Sequence, residues 1–407
     1  MPLLIFAFFG CATYQTKVDP ARQSLISGDC DKALTQLEEF SKNPNDDQLV
    51  YLMDYGSALQ ICGDYKKSNQ VFLQAERLAD NVDYHSVSRI AGATLFNEEM
   101  IQYKGDTFEK LFLNVSLALN FIQMGDLDAA MVEVRKINIK FNKYRHDDKQ
   151  SFEMNSFSKY LGGLIYESQK QFDDACIAYK EAYFLDQNYV QVGEDMLRTC
   201  WKARRTDEFN TLAKKMSATP DQVAKAKQDF STEAIFIFMQ GWGPRKSARP
   251  DAPTFPHLIP TYSQTSRLKI DVLNPDSSVK TTLESDAVYS FETAAIKTLE
   301  SDYNSLVARR IGARVAKEVM ADQIRQKDSA LGAVAWVAMV ASERADLRQW
   351  SIYPKTMHVL RVPLKPGQEN LKLSGLSSGG SASEQFPDQS FKLSTGQKKF
   401  FMVRSLR

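Results

Sequence analysis

Four cysteines of this 407-residue chain have a spacing that predicts oxidation in two pairs. They are Cys30, Cys62, Cys176 and Cys200. The first two are equidistant from the turn at residues 43–46, and the other two are equidistant from the turn at residues 186–188. Two antiparallel helices that share a turn bring such residues to one level. The sequence therefore predicts the bridges Cys30–Cys62 and Cys176–Cys200 in an oxidising compartment, and buried free thiols are the alternative.

No other residues have a spacing that predicts catalysis. The four histidines lie far apart, at positions 85, 146, 257 and 358, and no His or Cys pair has the spacing of metal ligands. The Ser-Gly-Gly-Ser segment at 378–381 lacks the strand–elbow–helix context of a hydrolase nucleophile. We expect no catalytic residue, metal or cofactor, and an enzyme whose site is dispersed in the sequence is the remaining alternative. The net charge of +1 gives no indication of nucleic-acid binding.

The fifth cysteine, Cys11, follows an uncharged apolar run at residues 3–10. A run of about 10 residues is too short to span a bilayer and is typical of a signal peptide. Gly10-Cys11 resembles a bacterial lipoprotein box, in which the cysteine is acylated and becomes the mature N-terminus, although Phe8 and Phe9 depart from the usual pattern. No basic residue precedes the run, which suggests a start codon further upstream. The alternative is an N-terminal strand or a buried tail.

Turns of one kind recur in the first half of the chain. Gly-Asp pairs begin at residues 28, 63 and 125, and Lys170-Gln171 has the equivalent place in a fourth unit. A small residue follows five positions after each turn begins: Ala33, Ser68, Ala130 and Ala175. The first two turns are 35 residues apart, close to the roughly 34 residues of a tetratricopeptide repeat (TPR). Residues 20–217 are thus predicted to form a TPR-like α-solenoid of helix pairs, with an irregular helical bundle as the alternative.

The composition changes after Thr219-Pro220, and residues 232–407 are predicted to form an α+β domain. Strand patterns occur at residues 234–239, 267–273, 356–362 and 399–404, with weaker ones near Leu371 and Phe391. Two helices at about 291–345 interrupt the strands. We expect a small antiparallel, sandwich-like sheet with an inserted helical hairpin, which folds separately from the solenoid. The apolar stretch Leu331–Ala341 favours a buried helix, and a helix that dips into a membrane is the alternative.

Several segments resemble an uncharacterised family of Gram-negative outer-membrane lipoproteins. They are YKGDTFEK followed by LFLNVSLALNFIQMGDLDAAMVEVR at residues 103–135, RADLRQW at 344–350, the strand MHVLRVPLKPG and the segment FFMVRSL. The resemblance implies a TPR-like front half, a β-containing back domain and no known activity. Ala12, rather than Asp, after the acylated cysteine implies the outer membrane, so we expect a protein anchored on its periplasmic face.

Two clusters are candidates for binding a partner. They are Tyr103, Lys104, Asp106 and Glu109 in the first cluster, and Arg344, Asp346, Arg348 and Trp350 in the second. Packing between repeats would explain the first cluster, and an intramolecular Arg–Asp latch would explain the second. The favoured hypothesis is a scaffold whose solenoid groove receives another cell-envelope protein. The alternative is a back domain that binds peptidoglycan or another glycan by stacking sugars on Trp242 and Trp350.

Overall fold

The front half of the computed structural model is helical, as the repeats predict. The structure describes residues 14–93, 102–147, 150–228, 232–341 and 343–407, so Cys11 lies outside the described residues. The helices are α1 (Tyr14–Ile26), α2 (Cys30–Lys42), α3 (Gln48–Ile61), α4 (Tyr65–Ala93), α5 (Thr107–Gln123), α6 (Leu127–His146), α7 (Ser156–Ser168), α8 (Phe172–Leu185), α9 (Val190–Lys202), α10 (Thr206–Lys215) and α11 (Pro220–Ala226). The first ten form five consecutive pairs.

The turn inside each of the five pairs has one geometry. Its residue with left-handed backbone is Gly28, Gly63, Gly125, Lys170 or Arg204, with φ between 60° and 84°. The next backbone N–H donates to the carbonyl five residues earlier, as from Asp29 to Ser24 at 2.8 Å and from Gln171 to Tyr166 at 2.9 Å. This bond closes the end of the first helix and lets the second begin at once.

Small residues let the paired helices approach each other closely. Ala33, Ser68, Ala130 and Ala175 are all fully buried after their turns. A Cβ at Gly56 would lie 2.6 Å from the ring of Phe72, and one at Gly163 would lie 2.4 Å from the ring of Tyr179. The same small-against-aromatic contact thus occurs in two repeats, which explains the weak but regular sequence pattern.

The back domain contains two stacked sheets and a small hairpin. Its strands are β1 (Glu233–Gln240), β2 (Arg245–Ala248), β3 (Pro256–Ile259), β4 (Arg267–Leu273), β5 (Val279–Glu284), β6 (Asp286–Ser290), β7 (Thr356–Pro363), β8 (Gly367–Leu376), β9 (Ala382–Gln385), β10 (Gln389–Leu393) and β11 (Lys398–Arg404). One sheet has the order β11-β1-β7-β6, the other β10-β8-β4-β5 with β9 beside β8, and β2 pairs with β3. The sheets are antiparallel as expected, except that β1 and β11 are parallel.

Strand β1 lies between two cores, and this organises the molecule in three layers. Ile235, Ile237 and Met239 belong to the core shared with the helical half. Ala234 and Phe236, on the other face, belong to the core between the two sheets. Every residue of β1 is buried. One hydrophobic core therefore includes side chains of both halves, which argues against the expectation that they fold separately.

A long helical hairpin interrupts the strands between β6 and β7, as predicted. It consists of α12 (Phe291–Arg325) and α13 (Ser329–Ala341), and Asp328 caps α13 by accepting from the N–H groups of Ala330 and Leu331 at 2.9 and 3.0 Å. Leu331 and Val334 are 60% and 65% exposed. The prediction of a buried helix at α13 is thus wrong. In the described part of the chain, every helix is too short or too polar to cross a membrane.

The cysteines of the helical half form two disulfides in the structure. Cys30 is bonded to Cys62, with Cα atoms 5.9 Å apart, and Cys176 to Cys200, with Cα atoms 4.8 Å apart. These are the pairs that the symmetry of the helical hairpins predicts. Each bond joins the second helix of one pair to the first helix of the next, so it fixes the register between neighbouring repeats.

Candidate functional site

The two candidate clusters meet where the back domain contacts the first repeats, at what we call the front joint. We define it by Asp54 and Glu109 of the solenoid and the segment 346–352 of the back domain. The Trp350 side chain is fully buried, and its ring lies 5.3 Å from that of Phe112. Its indole N–H donates to the Ser57 hydroxyl at 2.9 Å, and its backbone N–H donates to Glu109 at 3.0 Å. Trp350 therefore fastens the two halves to each other.

Two buried carboxyls of the front joint, Asp54 and Glu109, accept hydrogen bonds from backbone N–H groups and tyrosine hydroxyls of the described residues. Asp54 accepts the backbone N–H groups of Ser351 and Ile352 at 2.8 and 3.0 Å and the hydroxyl of Tyr14. Burial raises the pKa of Asp54 to about 7. Burial and the charge of Asp106 raise the pKa of Glu109 to about 7 as well. Both carboxyls thus act as caps for chain segments that would otherwise hold unsatisfied N–H groups.

The Arg–Asp latch exists, and it reaches further than the sequence indicated. The Arg348 guanidinium forms two bonds with Asp346, at 2.9 and 2.8 Å, and a third with Asp47 at 3.1 Å. Asp47 lies in the solenoid, immediately before α3. The latch therefore closes the back domain onto the first repeats as well as ordering its own segment.

Burial decides which of the eight candidates are able to contact a partner. Trp350, Glu109, Arg348 and Tyr103 are 0%, 1%, 4% and 7% exposed. Their proposed role as partner contacts is corrected, because their side chains are used inside the molecule. Lys104, Asp106 and Asp346 are half-buried, and Arg344 is exposed.

Beside the front joint lies a cleft of about 400 Å³. Six of the eight candidates line it: Tyr103, Lys104, Asp106, Glu109, Asp346 and Arg348. The opposite wall comes from α12, with apolar Leu299 and Leu306 and the basic Arg309 and Arg310, and Leu258 of β3 completes it. Two clusters about 240 residues apart in sequence thus form one concave surface, because the back domain docks on the solenoid.

A second contact between the two halves, the rear joint, is built from buried charges. We define it by three carboxylates and three cations: Glu167, Asp195, Glu233, Arg198, Arg361 and Lys398. Arg361 of β7 lies 2.9 Å from Glu167, 3.1 Å from Asp195 and 2.5 Å from Glu233. Glu167 and Asp195 come from α7 and α9 of the solenoid. The charges balance, so a buried network is retained without a net charge.

The cations of the rear joint keep its carboxylates ionised. Burial alone would raise the pKa of Glu167, but Arg361, Arg198 and Lys398 lower it well below its ordinary value. The pKa of Asp195 is also lowered, by Arg198 and Arg361 against the effect of burial. The arrangement has the chemistry of a structural clamp: each carboxylate is paired, and none is left to accept a proton from a substrate.

The predicted solenoid groove is not available to a partner. The first helices of all five pairs contribute contacts to the back domain, through Asp19, Asp54, Glu109, Glu167 and Asp195. This side of the solenoid is therefore covered by the chain's own sheet, and that part of the scaffold hypothesis is corrected. No local pattern predicts this docking, because each contact joins residues more than 100 positions apart.

The proposed sugar-stacking residues are also unavailable. Trp242 is 4% exposed and donates to the Leu406 carbonyl at 2.9 Å, and Trp350 is fully buried. Buried rings offer no face to a glycan, so this hypothesis loses the residues on which it depended. Among the described residues, no group of three or more His, Cys, Asp or Glu side chains has an arrangement that would hold a metal ion.

Comparison with known proteins identifies neither a family nor a function. No family model matches the chain, and no curated protein matches it. Among solved structures, one titled MamA protein is 14% identical, covers 52% of this chain and 94% of its own, and has a TM-score of 0.34. A MamA structure from Desulfovibrio magneticus RS-1, residue 41 to the end, is 15% identical with the same coverages and a TM-score of 0.31. Similarity at this level carries no information about function.

Proposed function

We propose that this protein is a non-catalytic, lipid-anchored scaffold of the periplasm that binds a segment of another cell-envelope protein in the cleft beside the front joint. The main support for this proposal is that six residues from two clusters far apart in the sequence line this one cleft. The buried members of the two clusters hold the cleft's shape, while Lys104 and Asp106 remain accessible at its edge. A rigid concave surface is what a binding site needs.

The lining predicts the chemistry of the bound segment. Leu258, Leu299 and Leu306 supply apolar surface, which favours an aliphatic or aromatic side chain. Basic side chains outnumber acidic ones in the lining by six to four, which favours an acidic group beside that side chain. The basic ones are Lys104, Lys246, Arg309, Arg310, Lys317 and Arg348, and the acidic ones are Asp106, Glu109, Asp302 and Asp346. We infer that an extended segment carrying both kinds of residue enters the cleft.

The anchor is the second element of the proposal. Its support is the apolar run that ends at Gly10-Cys11. An acylated cysteine with more than one chain gives stable attachment to a bilayer, and Ala12 favours the outer membrane. Cys11→Ser should move the protein from the membrane fraction to the soluble periplasm or leave it unprocessed. Unaltered membrane association of this variant, together with an N-terminal peptide that carries no acyl group by mass spectrometry, would refute the anchor.

The binding site is tested by photo-crosslinking in cells. A crosslinking amino acid at position 299, in the cleft, should capture a defined protein, whereas one at position 190, a solenoid position that is 61% exposed, should not. Arg309→Glu should weaken the capture from position 299 by about tenfold, because it reverses a charge at the edge of the cleft. Equal capture from both positions, or capture that Arg309→Glu leaves unchanged, would refute the proposed site.

A further inference from the structure

Helix α13 has an apolar side that nothing in the described structure covers. Leu331, Val334 and Val337 are 60%, 65% and 59% exposed. From Ser329 to Ala341 the helix contains no charged residue. Isolated exposed aliphatic residues are common on protein surfaces, but an entirely uncharged helix with an exposed aliphatic row is not.

The apolar side of α13 is the outer edge of the hairpin. A Cβ at Gly332 would lie 2.6 Å from the backbone nitrogen of Arg325, so Gly332 faces α12. At roughly 100° per residue, Val334 and Val337 point away from α12. On α12, Lys317 is buried while Val315 is 60% exposed, so Val315 lies on the opposite edge of the hairpin. The hairpin thus offers two edges of similar exposure, and this provides a matched control.

We propose that α13 lies in the interface of the bilayer to which Cys11 is anchored. The proposal rests on the lipid anchor of the proposed function, and the position of the anchor supports it. The Gln15 side chain donates to the Leu347 carbonyl at 3.1 Å, and Tyr14 contacts Ser351 at 3.1 Å. Cys11 precedes Tyr14 by three residues, a reach of about 10 Å. An acyl chain on Cys11 would therefore lie within about 10 Å of Tyr14, which contacts the segment that follows α13.

Charges at the two ends of α13 suit the same position. The exposed Lys327 precedes the helix and the exposed Arg344 follows it, whereas Arg325 pairs with Glu318 and Asp322 on α12. Such cations are attracted to anionic headgroups while the uncharged side enters the acyl region. The neighbouring acids are engaged locally, since Asp328 caps the helix and Glu343 pairs with Lys317 at 3.0 Å. A helix of 13 residues is about 20 Å long and lies in the plane of the interface rather than across the membrane.

A bilayer fits this surface better than a second copy of the chain. A stable protein interface buries about 800 Å² on each partner, and one row of three aliphatic side chains contributes only a fraction of that area. An interfacial helix needs no matching partner surface, because its uncharged side enters the acyl region wherever it meets the bilayer. The uncharged side of α13 also lacks any group that would give a protein partner specificity.

Vesicle flotation of the mature chain without acyl groups, residues 12–407, isolates the contribution of α13. The vesicles contain phosphatidylethanolamine and phosphatidylglycerol. We expect Val334→Asp to weaken binding by on the order of tenfold or more, because a charge replaces an aliphatic side chain in the apolar region. Val315→Asp, on the other edge of the same hairpin, should leave binding unchanged. Vesicles of phosphatidylcholine alone should bind the chain less well, because the flanking cations lose their partners.

A second measurement uses Trp336, which is half-buried on α13. Lipids brominated on the acyl chains should quench tryptophan fluorescence in the mature chain and in Val315→Asp, and not in Val334→Asp or Trp336→Phe. Three outcomes would overturn the proposal: no flotation of the unacylated chain, equal loss in both Asp variants, or a dimer in solution that Val334→Asp dissociates. Flotation that depends on Val334, in a protein whose Cys11 proves unacylated, would support α13 while refuting the anchor.

Discussion

The front and rear joints perform one task with two different chemistries. Both attach the back domain to first helices of the solenoid, yet the front joint relies on aromatic packing and on carboxyls that cap backbone N–H groups. The rear joint relies on six charged groups that neutralise one another. Burial raises the pKa of Asp54 to about 7 in the front joint, while Arg361 and its neighbours lower the pKa of Glu167 in the rear joint.

The difference shows that burial alone does not determine the state of a carboxyl. Asp54 and Glu167 are equally inaccessible to solvent, at 0% and 1% exposure, and their pKa values shift in opposite directions. What separates them is the presence of a cation within bonding distance. The two joints should consequently respond differently to substitution, to reductant and to pH.

Breaking the rear joint should have the largest effect. Arg361→Met leaves the three buried carboxylates with only Arg198 and Lys398 as partners, and we expect a loss of about 5 kcal/mol in the free energy of unfolding, because the buried network then holds an uncompensated negative charge. Urea denaturation measures it. The control is Arg205→Met, which breaks an ion pair between Arg205 and the exposed Asp173 and should cost only about 0–1 kcal/mol. Similar losses in the two variants would show that the rear network is not effectively buried.

Removing the aromatic anchor of the front joint should come next. Trp350→Ala should lower the free energy of unfolding by about 4 kcal/mol, because a fully buried side chain leaves a cavity between the two halves. Ser57→Ala, which removes only the acceptor of the indole N–H, should cost about 1–2 kcal/mol. Unfolding should remain one transition in the wild-type protein, since both halves share a core. Two separate wild-type transitions would contradict that conclusion.

The two disulfides also differ from each other, in their exposure to solvent. Their closed loops of 32 and 24 residues each stabilise the fold by about 3–4 kcal/mol. Cys30 and Cys62 are half-buried, whereas Cys176 and Cys200 are fully buried. A mild reductant should therefore open the first bridge in the folded protein and leave the second intact, as non-reducing peptide mapping would show. A crossed connectivity, or reduction of both at one rate, would contradict the packing.

The smallest effect is expected for Asp54→Asn at a pH below about 4, where the Asp54 carboxyl is protonated in both states and its replacement should cost about 1 kcal/mol. The pKa of Asp54, about 7 in the folded protein, exceeds that of an unfolded aspartate, near 4. Between pH about 4 and 7 the folded state binds more protons, so this group lowers stability as the pH rises. Asn does not titrate, so the stability of the variant relative to wild type should improve across that window.

A carboxyl with the opposite shift provides the control for this pH dependence. The hydrogen bond from Arg205 lowers the pKa of the exposed Asp173. In the wild-type protein its contribution to stability is lost only as the pH falls below about 4. The difference between Asp173→Asn and wild type should therefore change below that pH and stay constant above it. A pH-independent difference for Asp54→Asn between pH 4 and 7 would show that Asp54 does not titrate there.

What could be predicted from the sequence depended on whether the signal was local. The turns at Gly28, Gly63 and Gly125 and the alternation in β4 are set by neighbouring residues, and both appear in the structure. The docking of the two halves depends on pairs such as Glu109 with Trp350, which no pattern connects. Ile311 and Val315 continue the apolar helical period of α12. They are exposed, because periodicity shows which side of a helix is apolar and not whether anything covers it.

Because β1 pairs with β11, this sheet is completed only after the last strand of the chain has been made. Glu233 lies beside Lys398, 165 residues later in the chain. Polypeptides are synthesised from the N-terminus, so all five helix pairs and β1 are made before β11. Strand β11 completes the sheet beside β1, and its Lys398 pairs with Glu233. Until then, the side of the first helices that will contact the back domain is exposed to water. We expect the newly made chain to require a holding chaperone, and this requirement to end only when β11 has been made.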